Sequence, residues 1–137
     1  MKHSEARQAF LQAYVEQLAA GLGLRDWRLT VSRKLPSDPV AYAETKVWWS
    51  STTATIRIGT TVLGDRDQLR ATTVHELLHC YTEHLYKSVS DAFSGAVTDA
   101  VWHTFRKIYR SEIERSVDHL ARAIARGAPL PEWPVPA

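Results

Sequence analysis

Apolar positions in this chain recur at two periods, and each change of period marks a new element. Phe10, Leu11, Tyr14, Val15 and Leu18 fall three and four apart, the stripe of an amphipathic helix. Ser4 supplies an N-cap, and Gly21 and Gly23 supply a stop just past Ala20. The period then drops to two. Trp27, Leu29 and Val31 alternate with Arg28, Thr30 and Ser32, which predicts a half-buried strand over residues 27–33. Pro36 and Pro39 mark a loop. Residues 41–49 and 53–58 predict two more strands, joined at Ser50-Ser51 as a hairpin, and residues 59–64 predict a loop.

The helical period returns at Asp65, where an N-cap residue with Gln68 three positions on is a helix-start signature. Leu69, Thr73, Leu77 and Cys80 then recur at helical spacing, as do Val74, Leu78, Tyr81 and Leu85. A helix with apolar flanks that wide can be buried. Residues 87–95 are polar and predict either a loop or the frayed start of another helix. Val97, Val101, Phe105 and Ile108 predict a helix over residues 96–109. Ile113, Val117, Leu120 and Ile124 predict a last one over residues 111–126, stopped by Gly127 and Pro129. The pattern therefore predicts an α+β domain over residues 1–128, with a small, mostly antiparallel sheet of about three strands packed on helices. Residues 129–137 follow as a Pro-rich tail. Leu130, Trp133 and Val135 predict that it is extended and docked on the domain.

Composition adds exclusions. With 137 residues, 45% hydrophobic and 23% charged, the chain has material for one real core and no signature of disorder. A net charge of +2 is too small to demand a nucleic-acid partner. Arg106, Lys107, Arg110, Arg115, Arg122 and Arg126 read as a solvated basic face, with nucleic acid or an acidic partner as the alternative. The lone Cys80 can form no internal disulfide, which fits a reducing compartment, and it reads as a small core residue. The first residues run into an amphipathic pattern rather than an apolar signal core, and no stretch reaches transmembrane length. These features predict a cytoplasmic protein with no membrane partner. They leave its oligomeric state open.

Candidate chemistry sits in the central helix as H-E-x-x-H: His75, Glu76 and His79. Residues four apart on a helix lie one turn above each other, so the two imidazoles leave from one face and can grip one metal ion, Zn2+ by ligand type. Glu76, about 100° round the helix, can reach a metal-bound water without ligating the metal, the placement a general base needs. Catalytic zinc usually takes a third protein ligand. Glu114 and Asp118, four apart near the C-terminus, offer a carboxylate ligand and a second carboxylate to hold a ligand imidazole by its other N–H. Other readings stand beside these. Ser111-Glu112-Ile113-Glu114 also reads as a capping box, Asp118 can pair with Arg115 or Arg122, and His103 and His119 are fallback ligands. Tyr109 is the candidate to stabilise an oxyanion.

An H-E-x-x-H helix followed downstream by E-x-x-x-D resembles the gluzincin zinc metallopeptidases, and the order of elements is similar to small single-domain zincin-like proteins of phages and bacteria. The resemblance implies a zincin-like fold, Glu114 as third zinc ligand, Asp118 as the partner of His75, and hydrolysis of a peptide or protein substrate. It also implies a sheet strand beside the metal to which an extended substrate adds, drawn from residues 41–47 or 53–58. Trp48 and Trp49 would then be core or cleft wall, with at least one of them in the core. The metzincin extension would need glycine at position 82 and histidine at position 85, where Thr82 and Leu85 stand; His84 reads as a surface or core residue. The competing function is a zinc-holding regulatory or interaction module, phage- or immunity-related, with little turnover.

Overall fold

A computed structural model describes all residues, 1–137. Helix α1 (Glu5–Gly21) starts where the Ser4 hydroxyl accepts the Arg7 N–H at 3.1 Å, and it buries Leu11, Tyr14, Val15, Leu18 and Ala19. Its stop is a positive φ of 78° at Gly23, a conformation that suits glycine. Strands β1 (Arg28–Val31), β2 (Ala43–Trp48) and β3 (Thr53–Ile58) form one sheet in the order β1-β3-β2. Alternation decides the inner face: Leu29 and Val31 on β1, and Ala54, Ile56 and Ile58 on β3, are buried.

The sheet is mixed, not mostly antiparallel. β2 and β3 form the expected hairpin, turning through Trp49–Ser51 and a left-handed Thr52 with φ 48°, but β1 pairs with β3 in parallel. Helix α1 covers the other edge of β1. Gln12 takes the Val31 N–H and gives its amide to Leu29 O, both at 2.7 Å, and Gln8 bonds Val31 O at 2.9 Å. These glutamines close the outer edge of β1, so its free main chain faces β3 on the other side. The β2 edge is left open. Gly59 N–H bonds Tyr42 O at 2.7 Å, and in the paired register this turns the peptide groups of Ala43, Thr45 and Val47 away from β3.

Helix α2 (Arg66–Ser94) begins on Asp65, whose side chain accepts the Gln68 N–H at 3.0 Å. It runs straight through the polar residues 87–94, with Gly95 as its C-cap, so this stretch is neither loop nor the start of another helix. Helix α3 (Asp99–Ala125) is one rod where the sequence pattern predicts two. No glycine or proline interrupts it, and Phe105, Tyr109, Ile113, Val117, Ala121 and Ala125 repeat every four residues along the side that packs inward. That repeat leaves Leu120 52% exposed, outside the core it was expected to join. Ser111-Glu112-Ile113-Glu114 lies mid-helix and caps nothing. Phe93 meets Phe105 with ring centroids 4.5 Å apart, tying the far ends of α2 and α3 together. No helix is long and apolar enough to cross a membrane.

Cys80 is fully buried in the core, and burial pushes its thiol up to about 12. The tail crosses α1 and the start of α2. Tyr14 donates to Pro129 O at 2.8 Å, Arg66 to Pro131 O at 2.7 and 3.1 Å, and Arg7 to Pro136 O at 2.8 Å; Pro131 is buried and Val135 packs on the core. Burial lifts the Tyr14 hydroxyl to about 12 against the pull of Arg70 and Arg66, so it stays a donor. Deleting residues 129–137 is therefore expected to lower the melting temperature by roughly 5–15 °C. No tail residue lines the cleft described next, so the same deletion should leave any peptide turnover unchanged. Differential scanning calorimetry with a turnover assay checks both; an unchanged melting temperature would show that these contacts contribute nothing.

Candidate metal centre and cleft

The site forms because α2 and α3 pack antiparallel in a register that sets His75 against Asp118, His79 against Glu114 and Glu83 against Arg110. Each row is one helical turn from the next, so two runs of i,i+4 spacing become a ladder of facing pairs. In its central rows the Nε2 atoms of His75 and His79 lie 3.2 Å apart. The Glu114 carboxylate spans both, with Oε2 at 3.3 Å from His75 Nε2 and Oε1 at 3.2 Å from His79 Nε2. Zinc–ligand bonds of about 2.0–2.1 Å in a tetrahedron put ligand atoms roughly 3.3–3.4 Å apart. The triangle of residues matches that edge length at each contact, with one Glu114 oxygen facing each imidazole.

The donor set has the same meaning. Asp118 Oδ1 stands 2.9 Å from His75 Nδ1, which places the ring proton on Nδ1 and leaves Nε2 as a lone pair. His79 Nδ1 has the Thr82 hydroxyl at 3.4 Å. Two imidazole nitrogens and a carboxylate thus converge, an arrangement that a proton or a metal ion among them would hold together. Burial lowers the His75 pKa, but the Glu114 hydrogen bond and the charges of Glu76, Glu114 and Asp118 outweigh it and raise the net value above that of an ordinary imidazole. Glu114 moves the other way: the His75 hydrogen bond holds its carboxyl below the usual range, against burial.

Glu76 lies beside the triangle. Its carboxylate and one atom from each histidine fall within 4.8 Å of one another, so distance alone would admit it as a ligand. Its hydrogen bond argues otherwise. The Thr45 hydroxyl of β2 donates to Glu76 Oε2, whereas Glu114 reaches both imidazoles at once. Glu76 is 7% exposed, and burial raises its pKa despite Thr45 and the two histidines, a direction that suits a proton acceptor working near neutrality.

A cleft runs across the cluster. On one side a space of about 640 Å³ is lined by Val40, Tyr42, Gln68, Ala71, Ala121 and Arg122 among others; on the other, about 610 Å³ lies between residues 43–47 of β2 and Glu83, Arg110 and Glu114. Both spaces reach His75 and Glu76. Strand β2, the open edge, is therefore the strand beside the candidate metal, and β3 is the interior one.

Tyr109 is not brought to this cleft. Its ring stacks between Tyr86, at 5.8 Å, and Phe105, at 5.4 Å, and lines neither side. His103 and His119 are exposed and away from the cluster. Neither Trp48 nor Trp49 enters the core: they are 43% and 40% exposed, and Trp49 stacks on His84 at 3.7 Å. Sequence reasoning missed Thr45 and the Glu83–Arg110 pair. Arg110 grips Glu83 with two bonds of 2.9 Å and lies 3.4 Å over the Tyr86 ring. Glu83 stands four after His79 and Arg110 four before Glu114, so the spacing that singles out the ligands also marks this pair. Thr45 carries no such signal, because its role comes from strand β2 crossing α2. No known protein family, curated protein or solved structure matches this chain.

Proposed function

We propose that this chain is a zinc-dependent metallopeptidase of the gluzincin type on a zincin-like fold, with His75, His79 and Glu114 holding the metal and Asp118 orienting His75. One observation carries the reading: two imidazole nitrogens lie 3.2 Å apart, each with an oxygen of one carboxylate at 3.2–3.3 Å, and a buried carboxylate lies beside them. A zinc ion in that triangle would act as Lewis acid and make water a competent nucleophile at neutral pH. Glu76 takes the proton from the attacking water at its carboxylate and returns it to the leaving nitrogen. Thr45 steadies that carboxylate from the strand side. The open main chain of Ala43, Thr45 and Val47 accepts an extended peptide by strand addition, which places a backbone carbonyl over the cluster and favours a peptide over other hydrolysable substrates.

A second reading, a zinc-holding interaction module, draws on a different surface. The outer half of the α2–α3 hairpin exposes Leu85, Val101 and Ile108 at 54%, 49% and 61%, apolar area that a binding partner would cover. Metal analysis and a peptide-library cleavage assay on the purified chain separate the two. About one zinc per chain with sequence-selective cleavage is expected, and His75→Ala or His79→Ala should each remove the metal. Full zinc occupancy in either variant would sink the site; zinc without cleavage would favour the module.

A further inference from the structure

The two sides of the cleft differ in how their cations are partnered. On the β2 side Arg110 is held by both oxygens of Glu83, and Lys46, the other cation there, sits 5.2 Å over the exposed Trp48 ring. On the other side the cation is Arg122, one turn beyond Asp118 on α3, and it has neither an ion pair within 4.0 Å nor a hydrogen bond. The partner expected of it from spacing, Asp118, is taken: its carboxylate faces His75 Nδ1 at 2.9 Å. Arg115, the other expected partner of Asp118, turns to Glu112. Of the remaining walls, Ala71, Ala121, Val40 and Tyr42 are small or largely apolar, and the polar Gln68 and Thr72 bond each other at 3.1 Å, so there is room for a methylene chain.

We propose that this side of the cleft selects a carboxylate, read by Arg122, on a substrate residue flanking the bond that is cut. The proposal rests on the zinc-peptidase reading and adds the substrate class to it. A guanidinium presents parallel N–H donors that match a carboxylate, and Arg122 is the cation in this space, with no ion pair or hydrogen bond of its own. The carboxylate has two sources, an acidic side chain within a peptide or the C-terminus of the peptide itself.

The test uses the full-length, zinc-loaded chain and two series of hydroxamates, whose chelating end seats on the metal. One series carries an ω-carboxylate on a straight chain and the other an ω-carboxamide of the same length. Titration calorimetry on wild type is expected to favour the carboxylate by roughly 5- to 10-fold at the best chain length. Arg122→Gln should erase that preference, and Arg122→Glu should transfer it to an ω-ammonium probe. Arg126→Glu, at the C-cap of the same helix but outside the cleft, should leave it in place. Equal binding of both series by wild type, or an equal loss in Arg126→Glu, overturns the proposal while leaving the metal centre standing. Failure of every hydroxamate to bind means that the metal has no open position, which overturns the peptidase reading and the proposal with it. Two peptide sets then identify the source: internal glutamate with an amidated end, or glutamine with a free end. An Arg122-dependent gain in cleavage in either set supports the proposal, and its absence from both overturns it.

Discussion

Glu76→Gln is expected to reduce peptide hydrolysis by roughly 10²–10⁴-fold while zinc stays at about one per chain. Glutamine keeps the shape and an oxygen that can accept the Thr45 hydroxyl, and it removes only the proton acceptor. The fold should not suffer. The Glu76 carboxyl is buried and its pKa is raised, so in the metal-free protein the charged form is the costly one. A carboxyl raised on folding destabilises progressively as pH climbs from the ordinary carboxylate range through its folded value. The metal-free variant should therefore melt at or above the wild-type temperature at neutral pH and near it in acid. Turnover, zinc stoichiometry and melting curves at two pH values check the three parts. Unchanged turnover would leave the peptidase reading without its base, and lost zinc would make Glu76 a ligand.

Glu114→Ala is expected to weaken zinc binding beyond the roughly 10–100-fold loss expected of Asp118→Asn. Glu114 supplies an oxygen to each side of the triangle, whereas Asp118 acts through His75 Nδ1. Asparagine can still accept that N–H but brings no charge, so His75 stays oriented and becomes a weaker donor. Glu112→Ala is the control. Its carboxylate reaches only Arg115, at 3.8 Å on the surface, and its removal should leave affinity within about twofold. Competition against a chromophoric chelator orders the three variants. Equal losses from Glu112 and Glu114 would mean that the third ligand is another residue.

What the sequence by itself determined is local. Ser4 and Asp65 start helices because a capping hydroxyl or carboxylate meets N–H groups two or three residues away. His75 and His79 share a face, as do Glu114 and Asp118, because the helical turn sets that relation with no help from the rest of the fold. The alternation of residues 53–58 likewise decided which side of β3 is buried. The break expected near residue 110 failed for a reason of the same kind. A polar run with a good capping pattern looks like an end, but Tyr109, Ile113 and Val117 keep one inward stripe, and continued packing outweighs a cap worth about 1 kcal/mol.

Only the tertiary structure decided which local pieces meet. The α2–α3 register that brings Glu114 to both imidazoles and Asp118 to His75 depends on the whole interface of packed rings and small residues, and a shift of one turn would match different rows. Which edge of β1 pairs with β3 followed from Gln8 and Gln12 closing the other, a choice that alternation cannot express. That closure leaves β2 as the free edge beside the cluster, where Thr45 meets Glu76 across 31 positions of sequence. Spacing within a helix is set by hydrogen bonds four residues long, so a sequence can be read for it directly. Contacts between elements are set by the sum of packing over the domain, and no single stretch of the chain carries that sum.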